Sequence, residues 1–257
     1  MSALIFDIET GPLPDEQLKA FLPPFVPPKH PGEFDPASVK IGNLKDEAKI
    51  AAKVEEARAA HAQALADYTI TVLQAETDHW LDFVSKAALS PVTGRILAIG
   101  YHSTEKQKTA IDGHDGLDES ETRIIQAFWT QYVKSRKSNR KMVGCNILDF
   151  DLPFICRRSL ILNVEIPATA FDGRFFDPLF VDVRKLWLFG QHSSSCSSSL
   201  DYIAKALGVG QKTEGITGGD FARLWFGDSD ERAKAKAYLT NDLSMTTNVS
   251  LRLGAAT

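Results

Sequence analysis

Short apolar runs separate amphipathic stretches along most of the chain, and the two patterns predict different elements. Apolar and β-branched runs of about four to eight residues, bounded by turn residues, are typical of strands. Such runs predict strands at residues 3–8, 95–102, 109–112, 142–145 and 180–183. The first run is closed by Thr10, Gly11 and Pro12, and residues 91–94 predict a turn before the second run.

Longer segments carry apolar residues at helical spacing. They predict helices at residues 119–133, 150–162, 199–207 and about 229–253. Pro153 lies in the first turn of the second helix and Gly208 follows the third, which are the positions that these residues favour. The serine-rich run at residues 192–199 predicts a loop. Because strands alternate with helices after residue 95, we expect an α/β fold built on one sheet.

Residues at about 14–92 separate the first two predicted strands, although neighbouring strands are usually joined by only a few residues. The first part of this segment is rich in proline, which favours an ordered loop or arm. From Asn43 to about Lys86 the pattern predicts helix, and the β-branched run at 69–72 predicts a break into two helices. We therefore expect a single domain over residues 1–257 with a largely helical insertion.

The composition sets broad limits on the class of protein. Of the 257 residues, 44% are hydrophobic and 24% are charged, as in ordinary globular proteins. The net charge of −4 gives no basic signature of nucleic-acid binding, although bound divalent cations would reverse the local sign at an acidic site. Cysteines without CxxC spacing, no signal peptide and no apolar run of membrane length predict a cytoplasmic protein with no membrane contact.

Two acids close the first predicted strand, in the run FDIET. Alternate side chains of a strand share a face, so Asp7 and Glu9 project together while Phe6 and Ile8 project the other way. Neighbouring carboxylates repel each other unless a cation lies between them, and Mg²⁺ prefers such oxygen ligands. A DxE pair alone is also typical of an exposed turn, so the pair needs partners elsewhere.

Two further segments supply candidate partners. In GCNILDFDLPFICRR, residues 144–158, Asp149 and Asp151 lie near a predicted helix start, where either carboxylate would also serve as a cap. In the last predicted helix Tyr238 and Asp242 are four residues apart, so they lie on one face. Taken singly, each of these residues has an ordinary structural explanation.

With these motifs in this order, the chain resembles the DEDD superfamily of 3′–5′ exonucleases, which has the RNase H-like fold. It is similar to the proofreading exonuclease domain of family-B DNA polymerases. The first motif of that family, DxE in a strand, matches Asp7 and Glu9. The second, N-x-x-x-[FY]-D, matches Asn146, Phe150 and Asp151, and so selects Asp151 over Asp149.

The third motif distinguishes two subclasses of the family. Tyr238 lies four residues before Asp242, as in the tyrosine subclass, whereas the histidine subclass would have His where this chain has Ala237. The stretches FVDVRKLW, SSSLDYIAKALG and KTEG also resemble this group. The resemblance covers residues 1–13 and about 95–253, and it implies a mixed five-stranded sheet flanked by helices.

The resemblance also implies a mechanism, the hydrolysis of phosphodiester bonds in single-stranded DNA with release of nucleoside monophosphates. Two divalent cations, Mg²⁺ or Mn²⁺, would be its cofactors. Asp7 would bridge both ions, Glu9 and Asp242 would complete the ion that binds the attacking water, and Asp151 would support the other. Tyr238 would orient the attacking water rather than remove its proton, since a free phenol has a pKa near 10.

Recognition of the 3′ end in this family implies four further residues. The backbone N–H of Thr10 would meet the terminal 3′ hydroxyl, and Leu13 would pack against the last base. Asn146 and Phe150 would lie close to the same nucleotide. The basic run at 134–141 has two readings, either contact with phosphates of the incoming strand or an ordinary helix end.

Two alternative functions are also compatible with the sequence. One is an exoribonuclease of the same fold, since no motif reveals a contact to a 2′ hydroxyl. The other is a nucleic-acid-binding adaptor that has lost catalysis, although all four carboxylates and the tyrosine are present. The expected partner is single-stranded nucleic acid, with DNA favoured, and a proofreading role would require a separate polymerase or repair protein.

Overall fold

The computed structural model describes residues 2–192 and 196–256, so residues 193–195 of the predicted serine-rich loop lie outside the described residues. The chain divides into two compact units, residues 1–18 with 86–257, and residues 19–85. No helix in the described part of the chain combines the length and the apolar character that crossing a membrane requires.

The first unit is built on a five-stranded mixed sheet. Its strands are β1 (Ala3–Pro12), β2 (Gly94–Ser103), β3 (Lys108–Gly113), β4 (Lys141–Gly144) and β7 (Phe180–Asp182). Their order in the sheet is β3-β2-β1-β4-β7, where β2 is antiparallel to both β1 and β3, and β4 is parallel to β1 and to β7. β5 (Phe171–Asp172) and β6 (Phe175–Phe176) form a separate small hairpin.

Helices cover both faces of this sheet. On one face α3 (Ser120–Lys137) and α4 (Asp151–Ile161) pack on Phe6 and Ile8. On the other face α6 (Leu200–Leu207), α7 (Phe221–Phe226) and α8 (Ser229–Arg252) pack on Ile5 and Leu97. The short helices α1 (Asp15–Leu18) and α5 (Val183–Leu188) complete the unit. The predicted α/β fold, an RNase H-like mixed sheet flanked by helices, is confirmed.

The second unit contains most of one long helix, α2 (Glu47–Ala87), and an irregular proline-rich segment before it. Within this unit the Tyr68 hydroxyl donates to the Pro28 carbonyl at 3.1 Å, and the rings of His30 and Tyr68 lie 4.7 Å apart. The segment contains short 3₁₀ turns at Lys19–Phe21 and Pro36–Ser38.

The predicted break in this helix is wrong, because α2 runs through residues 69–72 without interruption. β-branched residues lower helix propensity only slightly and keep their backbone N–H groups, unlike proline. The threonines also satisfy their hydroxyls inside the helix. Thr71 Oγ1 donates to the Asp67 carbonyl at 2.8 Å, and Thr77 Oγ1 donates to the Leu73 carbonyl at 2.9 Å.

Candidate active site

β1 carries two acids on the face that α8 covers. Phe6 and Ile8 lie in the core beneath α3 and α4, whereas Ile5 lies in the core beneath α8. Because side chains alternate along a strand, Asp7 and Glu9 share the face of Ile5. The strand does not end at residue 8 as predicted; it continues to Pro12, so both acids lie within its pairing with β2, whose register shifts directly after Glu9.

The neighbouring strand β4 is shorter than β1, and this difference opens the site. β4 pairs with β1 only as far as the register Ile5↔Val143, and β4 ends at Gly144. The backbone N–H of Ile8, between the two acids, is therefore without a strand partner on this side. It donates instead to Asp151 Oδ1 at 3.2 Å, which places the carboxyl of Asp151 beside β1.

The last helix delivers the remaining members of the motif set. α8 approaches β2 closely at Gly100, where a Cβ atom would lie 2.7 Å from the Leu243 side chain. Tyr238 and Asp242 are buried on this helix. Asp7, Glu9 and Asp242 each offer a carboxylate oxygen, and these oxygens all lie within 4.8 Å of one another. Strand and helix thus bring together acids from opposite ends of the sequence.

The electrostatics of this cluster are unfavourable for ionised carboxyl groups. Burial, followed by repulsion from Asp151, raises the pKa of Asp7 well above its usual value. Burial and the charge of Asp242 do the same to the pKa of Glu9. Burial raises the pKa of Asp151 to about 7, although its hydrogen bond from Ile8 opposes the shift. Carboxyl groups that are this close together and this deeply buried need a positive charge nearby if they are to be ionised at the same time.

One cation already lies at the cluster, and the sequence motifs assigned it no role. Lys212 Nζ is 3.2 Å from Asp242 Oδ2 and donates to the Tyr238 hydroxyl at 2.9 Å. Burial opposes its charge, but the contacts with Tyr238 and Asp242 raise the pKa of Lys212 above its usual value. Lys212 stands in the KTEG stretch that resembles the family, which was the available signal. Its position beside Asp242 and Tyr238 depends on how this loop folds against α8, which the sequence motifs do not specify.

Tyr238 is held as a neutral phenol. Burial, despite the hydrogen bond from Lys212, raises the pKa of Tyr238 to about 12. The group therefore keeps its proton near neutral pH, and its hydroxyl has a fixed donor in Lys212 Nζ. Such a phenol can hold and orient a polar ligand, but it is a poor base.

The structure separates the two acids of the second motif. Asp149 has a side chain that is 48% exposed and pairs with Lys185 Nζ at 2.6 Å. Asp151 is 3% exposed and lies next to Ile8. Phe150 lies between the two acids in sequence, and its ring packs against that of Phe154, with the ring centroids 5.6 Å apart. Only Asp151 is thus placed beside the acids of β1.

The other predicted substrate contacts lie on the two chain segments that flank the acids. The Thr10 hydroxyl donates to the Ala88 carbonyl at 2.8 Å, and the Leu13 N–H donates to the Thr93 carbonyl at 2.9 Å, so both residues anchor the end of β1. Asn146 lies at the turn between β4 and α4, and its N–H donates to Asp182 Oδ1 at 2.9 Å. Thr10, Leu13 and Asn146 are all half-buried.

A cavity of about 360 Å³ opens over the acids. Asp7 and Asp242 form part of its lining, with Asn146, Arg184 and Lys212. A larger cavity of about 800 Å³ lies along α3, beside Trp129 and Pro167, and contains none of the predicted site residues. The smaller cavity is therefore the one that matches the candidate chemistry.

The basic run at 134–141 lies away from this cavity. Lys141 pairs with Ala3 at the start of β1, four residues before Asp7, which is about 13 Å along a strand. Arg136 forms an ion pair with Asp177, and Arg140 Nη2 donates to Ser135 Oγ at 2.9 Å. These contacts favour the reading of the run as a helix end and strand start.

The donor set fits a divalent cation. Asp7, Glu9 and Asp242 offer hard oxygen ligands of the kind that Mg²⁺ and Mn²⁺ take. Asp242 Oδ1 is buried and has no hydrogen-bond partner among the described residues, which is unusual for a buried carboxylate. A bound cation would give this oxygen a partner and would offset the repulsion between Asp7 and Glu9.

Comparison with known proteins agrees with this geometry. The RNase_H_2 model of the RNase_H superfamily matches residues 86–249. The chain belongs to the RNase H superfamily. The matched range includes Asp151, Tyr238 and Asp242, whereas Asp7 and Glu9 lie before it. A search of curated proteins gave no match.

A solved structure shares the fold at low sequence identity. It is the family B DNA polymerase from the hyperthermophilic archaeon Pyrobaculum calidifontis, with a TM-score of 0.53 and 20% identity. The match covers 66% of this chain and 23% of the polymerase chain, so the protein corresponds to under a quarter of the polymerase. The similarity to a family B DNA polymerase is therefore shown at the level of fold, which is of the nuclease type.

Proposed function

We propose that this member of the RNase H superfamily is a metal-dependent 3′–5′ exonuclease that degrades single-stranded DNA to nucleoside monophosphates. The observation that carries the proposal is the close approach of carboxylate oxygens of Asp7, Glu9 and Asp242, together with a buried Asp242 Oδ1 that has no hydrogen-bond partner among the described residues. Tyr238 lies one helical turn before Asp242, which supports assignment to the tyrosine subclass.

The chain's own residues divide the work in this proposal. Asp7, Glu9 and Asp242 would hold the divalent cations, and Asp151 would support one of them from the side of α4. When bound, two Mg²⁺ or Mn²⁺ ions would supply Lewis-acid stabilisation and a water of lowered pKa. Tyr238 keeps its proton, because its pKa is raised to about 12, and so orients the attacking water rather than deprotonating it.

The segments around the cavity would bind the 3′ end of the substrate. Asn146 lines the cavity directly, Thr10 follows the acids on β1, and Leu13 comes directly after the end of that strand. We propose that Thr10, Leu13 and Asn146 bind the terminal nucleotide. Phe150 contributes less, since its ring packs against Phe154 in the protein. DNA is favoured over RNA because the structural neighbour is a DNA polymerase.

The second unit is proposed to be an insertion into one nuclease domain. β1 and β2 pair directly along the register from Leu4 to Pro12, yet about 80 residues of chain lie between them. Most of that chain forms the unit at residues 19–85. The pairing of β1 with β2 therefore defines one sheet that the insertion interrupts in sequence only.

An end-labelled oligonucleotide assay tests the proposal. Single-stranded DNA and RNA with a 5′ label would be incubated with Mg²⁺ or Mn²⁺, with and without EDTA. We expect a metal-dependent ladder of single-nucleotide steps on DNA. Faster digestion of RNA would instead identify an exoribonuclease, and binding without digestion would identify an adaptor.

Asp7→Ala is expected to abolish the ladder and to leave the fold intact, because it removes a repelled acid rather than a core contact. Circular dichroism and thermal melting would check the fold, and Asp149→Ala, at an exposed acid, is the control. If Asp7→Ala kept full activity with Mg²⁺ or Mn²⁺, the site assignment would be wrong.

Tyr238→Phe is expected to lower kcat by about 10- to 100-fold, the size of effect that misplacement of a reacting group produces. Metal binding should change little, because the phenol is not a carboxylate ligand. Steady-state kinetics and Mn²⁺ titration of the same preparation would separate the two effects. An unchanged kcat would remove Tyr238 from the mechanism.

A further inference from the structure

The lining of the cavity also contains an arginine that no sequence motif singled out as a site residue. Arg184 lies in the first turn of α5 and lines the cavity with Asp7 and Asn146. Its side chain is only 24% exposed. Nε donates to Ser198 Oγ at 3.0 Å, and Nη1 donates to Asn146 Oδ1. The guanidinium therefore joins two segments of the cavity wall.

Asn146 is fixed at every polar atom except one. Its backbone has φ of 65°, a left-handed conformation that asparagine tolerates better than most residues. Its N–H donates to Asp182 Oδ1, and its carbonyl accepts from the N–H of Phe150 at 3.0 Å. With Oδ1 engaged by Arg184, the side-chain Nδ2 is left without an acceptor among the described residues.

The hydrogen bond from Arg184 determines which edge of the amide a ligand meets. A guanidinium has donors only, so it accepts nothing from Asn146 and cannot face the NH₂ edge. The amide is therefore turned with its oxygen on Arg184, which leaves its NH₂ group free to donate. Because Asn146 lines the same cavity as Asp7 and Asp242, a ligand bound at the acids would share that cavity with this NH₂ group.

We propose that Arg184 is a positioning residue that makes Asn146 a hydrogen-bond donor to the terminal nucleotide. This assignment rests on the proposed function. Asn146 then recognises an acceptor of the nucleotide and not a hydroxyl proton. Two acceptors fit, a phosphate oxygen and the purine N3 or pyrimidine O2, which bases of both kinds present. Either would make the contact independent of sequence.

Adjacent cations allow a matched comparison. Arg184→Met and Lys185→Met each remove one positive charge from α5. Arg184 Nη1 and Lys185 Nζ both form an ion pair with Asp149 Oδ2, at 3.9 and 2.6 Å, but Lys185 is not part of the cavity lining. Lys185→Met therefore reports the effect of losing a positive charge beside Asp149. Arg184→Lys keeps a donor for Asn146 and should restore part of the function.

Of the two cations on α5, only Arg184 is expected to affect KM when it is replaced. Loss of one oriented hydrogen bond should raise KM for 5′-labelled single-stranded DNA by about 10-fold in Arg184→Met, with a smaller change in kcat. Lys185→Met should stay within about twofold of the wild type, the change expected for an exposed ion pair. Asn146→Gly, which accepts a positive φ, should match Arg184→Met.

Two further variants test the coupling. The double variant Arg184→Met with Asn146→Gly should show about the same 10-fold increase as either single change, because both remove one contact. Asn146→Asp keeps the partner of Arg184 but replaces the donor with an acceptor, so KM should rise although the fold is retained. Thermal melting of each variant would confirm equal folding.

Modified substrates identify the acceptor. If a base nitrogen or oxygen is bound, a 3′-terminal abasic residue should erase the difference between the wild type and Arg184→Met. If a phosphate oxygen is bound, a terminal methylphosphonate linkage should erase it. Either result supports the assignment and names its acceptor.

Two outcomes would count against the assignment, and they are distinct. The positioning role of Arg184 is overturned, and the proposed function is not, if the wild type digests DNA while Arg184→Met has the same KM as Lys185→Met. The same conclusion follows if the KM effects of Arg184→Met and Asn146→Gly are additive in the double variant. If the wild type digests no oligonucleotide with either metal, the proposed function itself fails.

Discussion

Two buried acidic side chains of this protein, Glu121 and Asp242, differ in how completely their oxygens are hydrogen-bonded. Glu121 on α3 is 4% exposed, and both of its oxygens are engaged. Arg158 donates to them at 2.9 and 2.6 Å, and the Ile96 N–H donates at 2.8 Å. Asp242 on α8 is 5% exposed, yet its Oδ1 has no hydrogen-bond partner among the described residues.

The contrast separates structural charge from functional charge. Glu121 and Arg158 form a closed pair that connects α3, α4 and β2 and offers no oxygen to a ligand. Asp7, Glu9 and Asp242 form an open cluster in which acids face acids, with Lys212 as the nearby cation. Buried groups that repel one another are tolerated where a ligand completes the site.

Breaking the closed pair should have the largest effect on stability. Arg158→Met leaves the Glu121 carboxylate buried without its partner, and such a loss usually costs about 3–5 kcal/mol. Urea unfolding would measure the change in free energy of unfolding. Arg123→Met, which removes an exposed partner of Asp115, is the control and should change stability by less than about 1 kcal/mol. Similar losses for both variants would contradict the closed-pair account.

The open cluster should show its strain through pH. Burial raises the pKa of Asp151 to about 7 in the folded protein, above its ordinary value of 3.8. The folded state thus holds this proton more tightly than the unfolded state. The contribution is favourable at low pH and is lost as pH rises from about 4 to 7.

Asp151→Asn removes that titration while keeping an oxygen for the Ile8 N–H. In EDTA, the stability of this variant relative to the wild type should therefore increase between pH 4 and 7. Asp149→Asn, at the exposed acid of the same segment, should follow the wild type. If the stability difference between Asp151→Asn and the wild type stays constant over this pH range, the pKa of Asp151 is not raised by folding.

Lys212 should have the smallest effect on stability. Its side chain is 39% exposed, and burial raises the pKa of Asp242, so this carboxyl can take up a proton when the ammonium is lost. In Lys212→Met an added cation no longer competes with the ammonium for Asp242. We therefore expect Mn²⁺ to raise the melting temperature of this variant more than that of the wild type. A smaller increase would contradict the view that Lys212 shields the cluster.

Most of the sheet and its helices could be predicted from sequence, because their apolar periodicity is set by burial on one or both faces. β1, β2 and β4 appeared as apolar runs, and Gly208 ended α6 in the left-handed conformation that favours glycine. The short elements α1, α5 and α7 were missed. Helices of four to six residues contain too few turns for a periodic signal.

The motif residues could be named from sequence, but their relations could not. Asp7 and Glu9 were placed on one face by strand alternation alone. The partnership of Asp151 with the Ile8 N–H depends on β4 ending at Gly144, which is a tertiary fact. Lys212 and Arg184 reach the cavity from loops and short helices, where no local pattern fixes side-chain direction.

Cleavage by Asp242→Asn tests the central claim most directly. This variant keeps the size of the side chain and changes the acid with the orphaned oxygen. The rate on 5′-labelled single-stranded DNA would be compared with the wild type and with Asp149→Asn, in Mg²⁺ and in EDTA, at equal folded fraction. We predict metal-dependent 3′–5′ digestion by the wild type and by Asp149→Asn, and a loss of at least about 1,000-fold in Asp242→Asn, comparable to removal of a major electrostatic contact. Digestion by Asp242→Asn at the wild-type rate in Mg²⁺ would contradict the account.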